Sequence, residues 1–408
     1  MDISFVRNQF PALSNNFTFM DNAGGSQVLG TVIDRIREYF LNYNVQLGAS
    51  YEVSANAGKK LSDVSEKLAT FINAKSPKEI IIGHSSTLLL RILSICISKN
   101  WKSGDEVIVT NSEHEANVSC WNDLKEKGII VKIWKVNPQT LEFELEQLSK
   151  LLSSKTKLVA MVHASNILGT INPIREVAKL VHDTGAYLCV DGVAYAPHRL
   201  VDVQMFDVDF YVFSTYKTFG PHMGIMYGRL NLLREMDGFN HYFITKEDVP
   251  YKFQPGNFNF ELTYSLQAIP EYIELIHDYH YVNDKAIPIR EKYQKSYDLI
   301  ASQEQELAAK LLDYLNTKKE VHIIGCRNGA KDKRVPTISF IHNKYKSSEI
   351  VEKVDAYNIG IRYGDFYAKK IIEDTELIQK DGVVRVSLVH YNTLEEVGAL
   401  INAFEKFL

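Results

Sequence analysis

The chain has 408 residues, of which 45% are hydrophobic and 24% charged. This is ordinary globular usage, which excludes a disordered, collagen-like or disulfide-scaffold protein and leaves length for two or three folding units. The 46 Lys+Arg against 50 Asp+Glu give a formal charge of −4, so no bulk attraction to nucleic acid is expected. Four cysteines (Cys96, Cys120, Cys189 and Cys326) at wide spacings form neither a disulfide framework nor a CxxC metal site.

The opening Met1–Arg7 carries an early acid and no apolar run, unlike a signal peptide. The most apolar stretch, Leu88 to Ile97, contains Arg91 and is too short to span a bilayer. A cytoplasmic protein without a membrane or nucleic-acid partner is therefore expected. Apolar periodicity predicts a helix over Ser62–Ala74, a strand over Glu79–Gly83, a helix over Thr87–Ser98 and a strand over Glu106–Thr110. Further strands are expected at Ile129–Val136, Lys157–Ala164, Ala186–Val190, Val208–Phe213 and Gly224–Tyr227. Helices fill the gaps, notably Pro173–Asp183, where the proline suits a first turn. After about residue 265 a long helical stretch, Leu266–Leu315, breaks near Pro288. Strands near Val335–His342 and Val383–Val389 and a closing helix Leu394–Phe407 follow.

Strands buried on both faces and alternating with helices predict an α/β fold with a mostly parallel sheet. Ligands of such sheets sit at the carboxyl ends of the strands. The expected division is a large domain over residues 16–265 and a smaller α+β domain from residues 1–15 and 266–408.

The polar residues just after the strands carry the functional signal. In Phe213-Ser214-Thr215-Tyr216-Lys217-Thr218-Phe219-Gly220-Pro221, a lysine follows an apolar strand and precedes a Gly-Pro turn. Another apolar strand, from Tyr187, ends in Asp191, 26 residues before Lys217. A lone strand-end lysine is ordinarily a solvated charge. Beside an acid that ends a neighbouring strand, it points toward a pyridoxal phosphate (PLP) site: a lysine amine can condense with an aldehyde, and a carboxylate can keep a pyridine nitrogen protonated. Gly83-His84-Ser85-Ser86-Thr87 lies between a strand and a helix, where amides and hydroxyls suit a phosphate dianion, although an ordinary Ser/Thr cap has the same pattern. Glu113-His114-Glu115-Ala116-Asn117 follows the next strand, with His114 over a ring or simply capping a helix.

Together these segments resemble the class V aminotransferase family of PLP enzymes, fold type I, and most closely its cysteine desulfurase-like and C–S lyase members. The resemblance runs over nearly the whole chain in the right order. Asp21-Asn22-Ala23-Gly24-Gly25-Ser26 resembles the family's N-terminal substrate-side loop, which includes Gly24. Ser86 and Thr87 match its phosphate-binding pair, with Ser214 also on the phosphate. His114 matches the histidine stacked on the cofactor, Asn166 the asparagine supporting cofactor and substrate, Asp191 the pyridine-nitrogen acid, and Lys217 the lysine that carries the cofactor. Pro255-Gly256-Asn257 resembles the loop reaching the partner subunit's phosphate, which implies a homodimer with a shared active site. Arg385 matches the arginine that grips the substrate α-carboxylate, a task suited to a bidentate guanidinium.

Three departures bear on the reaction. Family desulfurases carry a loop cysteine that attacks sulfur; the matching stretch here, Ile361 to Ala368, has Tyr367 in its place and none of the four cysteines. Tyr216 stands where many members have a phosphate-contacting histidine, and its phenol can donate the same hydrogen bond. Ala194 stands where many place a side chain on the cofactor's phenolic oxygen.

The resemblance thus implies a PLP-dependent enzyme acting on a cysteine-type amino acid by C–S cleavage, with β-elimination favoured and His114, Asp191 and Lys217 at its catalytic centre. Tyr367 is placed to protonate the leaving group. A desulfurase with another acceptor, an aminotransferase or an epimerase shares Lys217 and Asp191, so these residues do not separate the reactions. A catalytically silent scaffold is the alternative from another class, and the intact lysine–acid pair speaks against it. His277 and His280 share a helix face but lack further ligands, so no metal is expected. Arg362 is either a second substrate-side cation or a loop charge, and Lys331-Asp332-Lys333-Arg334 reads as a solvated turn.

Overall fold

A computed structural model describes all residues except Asn257 and Lys285. In chain order the strands are β1 (Thr18–Phe19), β2 (Ile80–Gly83), β3 (Glu106–Thr110), β4 (Ile130–Trp134), β5 (Thr156–Val162), β6 (Tyr187–Asp191) and β7 (Phe210–Ser214). They continue with β8 (Gly224–Gly228), β9 (Val321–Ile324), β10 (Thr337–His342), β11 (Ile359–Gly360), β12 (Arg362–Gly364) and β13 (Val383–Ser387).

A seven-stranded sheet of order β2-β8-β7-β6-β5-β3-β4 forms the centre. All its neighbouring pairs are parallel except the two that involve β8. Alternate residues face opposite layers. In β5, Val159 and Met161 join one apolar cluster, while Leu158 and Ala160 join the other. Each fully buried aliphatic side chain of this kind contributes about 1.5–3 kcal/mol. Two-sided burial explains why these strands read as near-continuous apolar runs.

The helix expected from Ser62 begins ten residues earlier and spans Glu52–Phe71. Its buried stripe, Ala57, Leu61, Val64 and Leu68, keeps helical spacing through a polar first half that hides the pattern. The long helical stretch resolves into Ala268–His280 and Ile289–Asn316, separated around Pro288.

The C-terminal sheet has order β12-β13-β10-β9 and is antiparallel throughout. Its core includes Leu307, Leu311, Phe340, Val386, Leu400 and Phe404. Two of its strands escape the sequence: β9 is short, and β12 is an edge strand with exposed Arg362 and Tyr363. Parallel pairing of β1 with β11 stitches the N-terminal loop to this unit, and Asp21 bridges to Ser387. Val6, Phe10 and Leu13 pack in the cluster that also holds Phe219, Tyr272 and Tyr391.

Arg334 corrects the solvated-turn expectation. Lys331 to Lys333 are exposed, but Arg334 is buried and donates to the carbonyls of Val335, Cys326 and Thr337. It also forms a bridge with Thr170, so the segment braces the loop that follows Asn166. Three carbonyl acceptors offset the cost of burying the guanidinium. No helix among the described residues is long and apolar enough to cross a membrane.

Candidate active site

The functional side chains gather at the carboxyl ends of β2, β3, β5, β6 and β7. After β7 the chain enters a tight turn, Thr215–Lys217, held by Thr215 donating to the carbonyls of Pro221 and Met223. The turn puts the Lys217 amine inside the protein, where Nζ has no hydrogen bond or ion pair among the described residues. Burial, with Arg385 nearby, pushes the amine down to about 8. Tyr216 lies flat on His222, with rings 4.7 Å apart and 3° from parallel. Its carbonyl accepts from the backbone and hydroxyl of Ser26, which docks the Gly24-Gly25 loop beside the lysine.

Asp191 ends β6 with Oδ1 accepting the Val193 amide at 2.9 Å. Burial raises its carboxyl, opposed by that hydrogen bond and by Lys217. Its charged form is therefore best held beside a cation, as a protonated pyridine would be.

His114 follows β3. Its Nδ1 accepts the Ala116 amide at 3.1 Å, which leaves the proton on Nε2. Burial first, then Lys217 and Arg385, lower it to about 4, so the ring stays neutral. Behind it, Glu113 accepts from Thr110, Asn117 and the Val162 amide at 2.6–2.7 Å, fastening the β3 loop to β5. Glu113 had no assigned role in the sequence, although its place beside His114 was a signal.

The phosphate side is built from the helix Ser86–Ile97, whose first turn Ser85 caps by accepting the Leu88 amide. Ser86 and Ser214 hydroxyls meet at 2.9 Å, so two strand ends converge on one spot. Gly224 of β8 is required there: a Cβ would lie 2.6 Å from backbone atoms of Ser85 and Ser86. Orphan amides at a helix N-terminus beside hydroxyls suit a dianion.

The substrate side is closed by the segment after β12. Asn166 Nδ2 donates to the Phe366 carbonyl at 3.0 Å, and the Glu115 amide donates to the Tyr367 carbonyl at 2.7 Å. Tyr367 is exposed, with its ring 5.4 Å from that of His114. Arg385, on β13, is almost fully buried; Phe366 covers its face at 3.7 Å, and Asp21 accepts from it at 2.7 Å. Neither partner was read from the sequence. The contact with Asp21 joins segments 364 residues apart in the chain.

Two contiguous cavities result. Ser86, Thr87, Asp191 and Ala194 line the first; His114, Asn166, Tyr216 and Lys217 line both; and Gly24, Arg362, Tyr367 and Arg385 line the second. Every expected residue among these is brought to one place, with Ser214 against Ser86. Asn257 lies outside the described residues. His277 pairs with Asp278, His280 is bonded to Ile276 and the Asp2 amide, and no metal-binding cluster is found among the described residues.

The donor set fits pyridoxal phosphate. Among the described residues Asn166 Oδ1 is buried without a partner, the Lys217 amine makes no hydrogen bond or ion pair, and the cradle at Gly224 admits no side chain. Fold and site together define a PLP-dependent enzyme with strand-end lysine and aspartate. A family model for class V aminotransferases matches residues 18–400. An aminotransferase-like protein of Gibberella zeae is 40% identical over 416 residues, spanning 100% of this chain and 98% of its own. A cysteine desulfurase-like protein of Aspergillus flavus is 35% identical over 423 residues, spanning 100% and 91%. The apo structure of a cysteine desulfurase from Thermococcus onnurineus matches the fold with a TM-score of 0.86 at 24% identity, over 99% of this chain and 97% of that one. The chain belongs to the class V aminotransferase family.

Proposed function

We propose that this enzyme cleaves the C–S bond of a cysteine-type amino acid by β-elimination, giving a thiol, pyruvate and ammonia. Names among its relatives support C–S chemistry. The observation that carries the lyase reading is the loop over the site. Its residue at the position of the family's sulfur-attacking cysteine is Tyr367, and no cysteine lines either cavity. Cys96 and Cys120 are buried thiols pushed up to about 11 and about 12, and burial likewise pushes Cys189 well above the ordinary thiol value. A buried thiol of that kind is a poor nucleophile.

In this reading Arg385 grips the α-carboxylate and Asn166 assists. The two fix the substrate so that the Cα–H bond faces Lys217. Lys217 Nζ, its hold on a proton weakened by burial, takes the Cα proton. Asp191 would hold a proton on the cofactor's ring nitrogen, and the neutral imidazole of His114 would be the group beside the ring. Pyridoxal phosphate, when bound, supplies the electron sink for the negative charge at Cα. The Tyr367 phenol, on the open side, donates its proton to the departing sulfur. Released aminoacrylate then takes up water and gives pyruvate and ammonia, which balances the reaction.

The proposal includes a cytoplasmic homodimer with a shared active site, with residues 16–265 as the PLP-binding unit. Exposed Ile33, Phe40 and Leu41, on one face of the helix Gly30–Asn42, support a partner surface. A fully active monomer would contradict it.

Product analysis of the holoenzyme with L-cysteine and S-methyl-L-cysteine tests the reaction. Pyruvate and ammonia equal to the sulfur released are expected. Alanine with protein-bound sulfur would make the enzyme a desulfurase. Keto-acid-dependent amino transfer, or racemisation without cleavage, would exclude both. A visible cofactor band that Lys217→Ala abolishes is expected, and its absence after PLP is added would remove the cofactor assignment.

A further inference from the structure

Arg385 is already engaged before any substrate arrives. Nη2 donates to Asp21 Oδ1 at 2.7 Å, and Nη1 reaches the Asn166 carbonyl at 3.4 Å. Nε is buried and has no hydrogen-bond partner among the described residues. The other oxygen of Asp21, Oδ2, stands 3.7 Å from Arg362 Nη1. The three side chains step outward: Arg385 is 1% exposed, Asp21 29% and Arg362 58%. Gly24 makes this possible, since a Cβ there would sit 2.8 Å from Asp21 Oδ2.

An incoming carboxylate that binds an arginine side-on uses two parallel N–H groups. Nε lacks a partner but is buried, and its companion Nη2 is held by Asp21. Two carboxylates on one buried guanidinium would leave uncompensated negative charge in a medium of low dielectric, which is costly. The substrate carboxylate therefore has to evict Asp21, and Arg362 already faces the oxygen that would lead the movement.

We propose that Asp21 is a built-in competitor for Arg385 and that Arg362 is the positioning residue that takes it over. When substrate binds, the Asp21 carboxylate trades the inner arginine for the outer one. Arg362 promotes binding without touching the substrate. A ligand with no α-carboxylate leaves Asp21 in place, so the exchange favours α-amino acids over simple amines. The inference rests on the reading of Arg385 as the carboxylate grip.

The test uses PLP-loaded enzyme and L-alanine, an amino acid with no β leaving group, with Kd read from the change in the cofactor's absorption band. Removing the competitor with Asp21→Ala should tighten L-alanine binding about tenfold, the scale of one charge-assisted hydrogen bond. Asp21→Asn is the second variant and should shift Kd in the same direction. Arg362→Ala should loosen binding roughly three- to tenfold in the native background and have no effect beside Asp21→Ala, a coupling that only an Asp21-mediated role produces. Equal loosening in both backgrounds would make Arg362 a direct ligand or a plain source of positive field, and overturn the exchange. So would weaker binding in both Asp21 variants. Arg385→Ala should abolish the response; unchanged L-alanine binding there would remove the grip itself, whereas a lost response with additive Asp21 and Arg362 effects would remove only the exchange.

Discussion

Asn166 ties down the loop over the site: its Nδ2 donates to the Phe366 carbonyl across 200 residues, while its Oδ1 is buried without a partner among the described residues. The tethered residues Phe366 and Tyr367 both have left-handed backbones, with φ of 52° and 59°. Non-glycine residues persist there only when surrounding contacts hold them. Asn166→Ala should therefore release the loop and raise KM about tenfold, on the scale of a lost buried hydrogen bond. Steady-state kinetics, with the rate of tryptic cleavage in residues 362–368, check this. Unchanged KM and unchanged cleavage would contradict it.

Gly224→Ala should damage the cofactor cradle more than the fold. The added methyl would meet the Ser85–Ser86 backbone at 2.6 Å, and backbone at a helix start gives way less easily than a side chain. PLP affinity should fall about tenfold or more, within the range of overpacking costs. Equilibrium dialysis of cofactor checks the value, and the melting temperature of the cofactor-free protein separates this from unfolding.

Lys217 makes the cofactor-free protein less stable at neutral pH. Burial lowers its amine from 10.5 to about 8, so the unfolded chain binds a proton that the folded chain resists. Stability from this group is reduced below about pH 8 and recovers as pH rises toward 10.5. Lys217→Met should be more stable than the native chain by about 2–3 kcal/mol at pH 7, with the difference closing above that range. Urea titrations of both cofactor-free proteins across pH 7 to 10 measure it.

Acid should destabilise the protein before its carboxylates are exhausted. Burial lowers His114 and His390 to about 4 and His163 to about 3. The unfolded chain takes up protons below about 6.5 that these buried rings refuse, so stability falls as pH drops from about 6.5 to 4. A loss on the order of 3 kcal/mol for each such ring is expected at the low end. His163→Gln, which can keep a hydrogen bond to Tyr211, should flatten the slope. Equal denaturant midpoints at pH 7 and pH 4 would contradict the account.

The strand ends were legible because the physics is local. Strands β5, β6 and β7 are buried on both faces, so their apolar runs end visibly at Asp191 and Ser214, and Lys217 stands just beyond. Asn166 and Arg385 came from family motifs, which encode position but not partners. What stayed hidden depends on contacts between distant segments. Asp21 meets Arg385 across 364 residues, and Phe366 covers that guanidinium from the turn that follows the exposed edge strand β12. Arg334 looked like one charge among four in a turn, yet three carbonyls and a bridge to Thr170 bury it. Local periodicity carries none of these.

The central claim is that sulfur leaves the substrate without passing through a cysteine of the enzyme. Mass spectrometry of the intact, unreduced holoenzyme after one turnover of L-cysteine tests this most directly. Cys326 is the one cysteine of the four that is not fully buried, and it lines neither cavity. The account predicts an unchanged protein mass with one equivalent each of pyruvate and sulfide released. A protein heavier by one sulfur atom, with alanine in place of pyruvate, would contradict it.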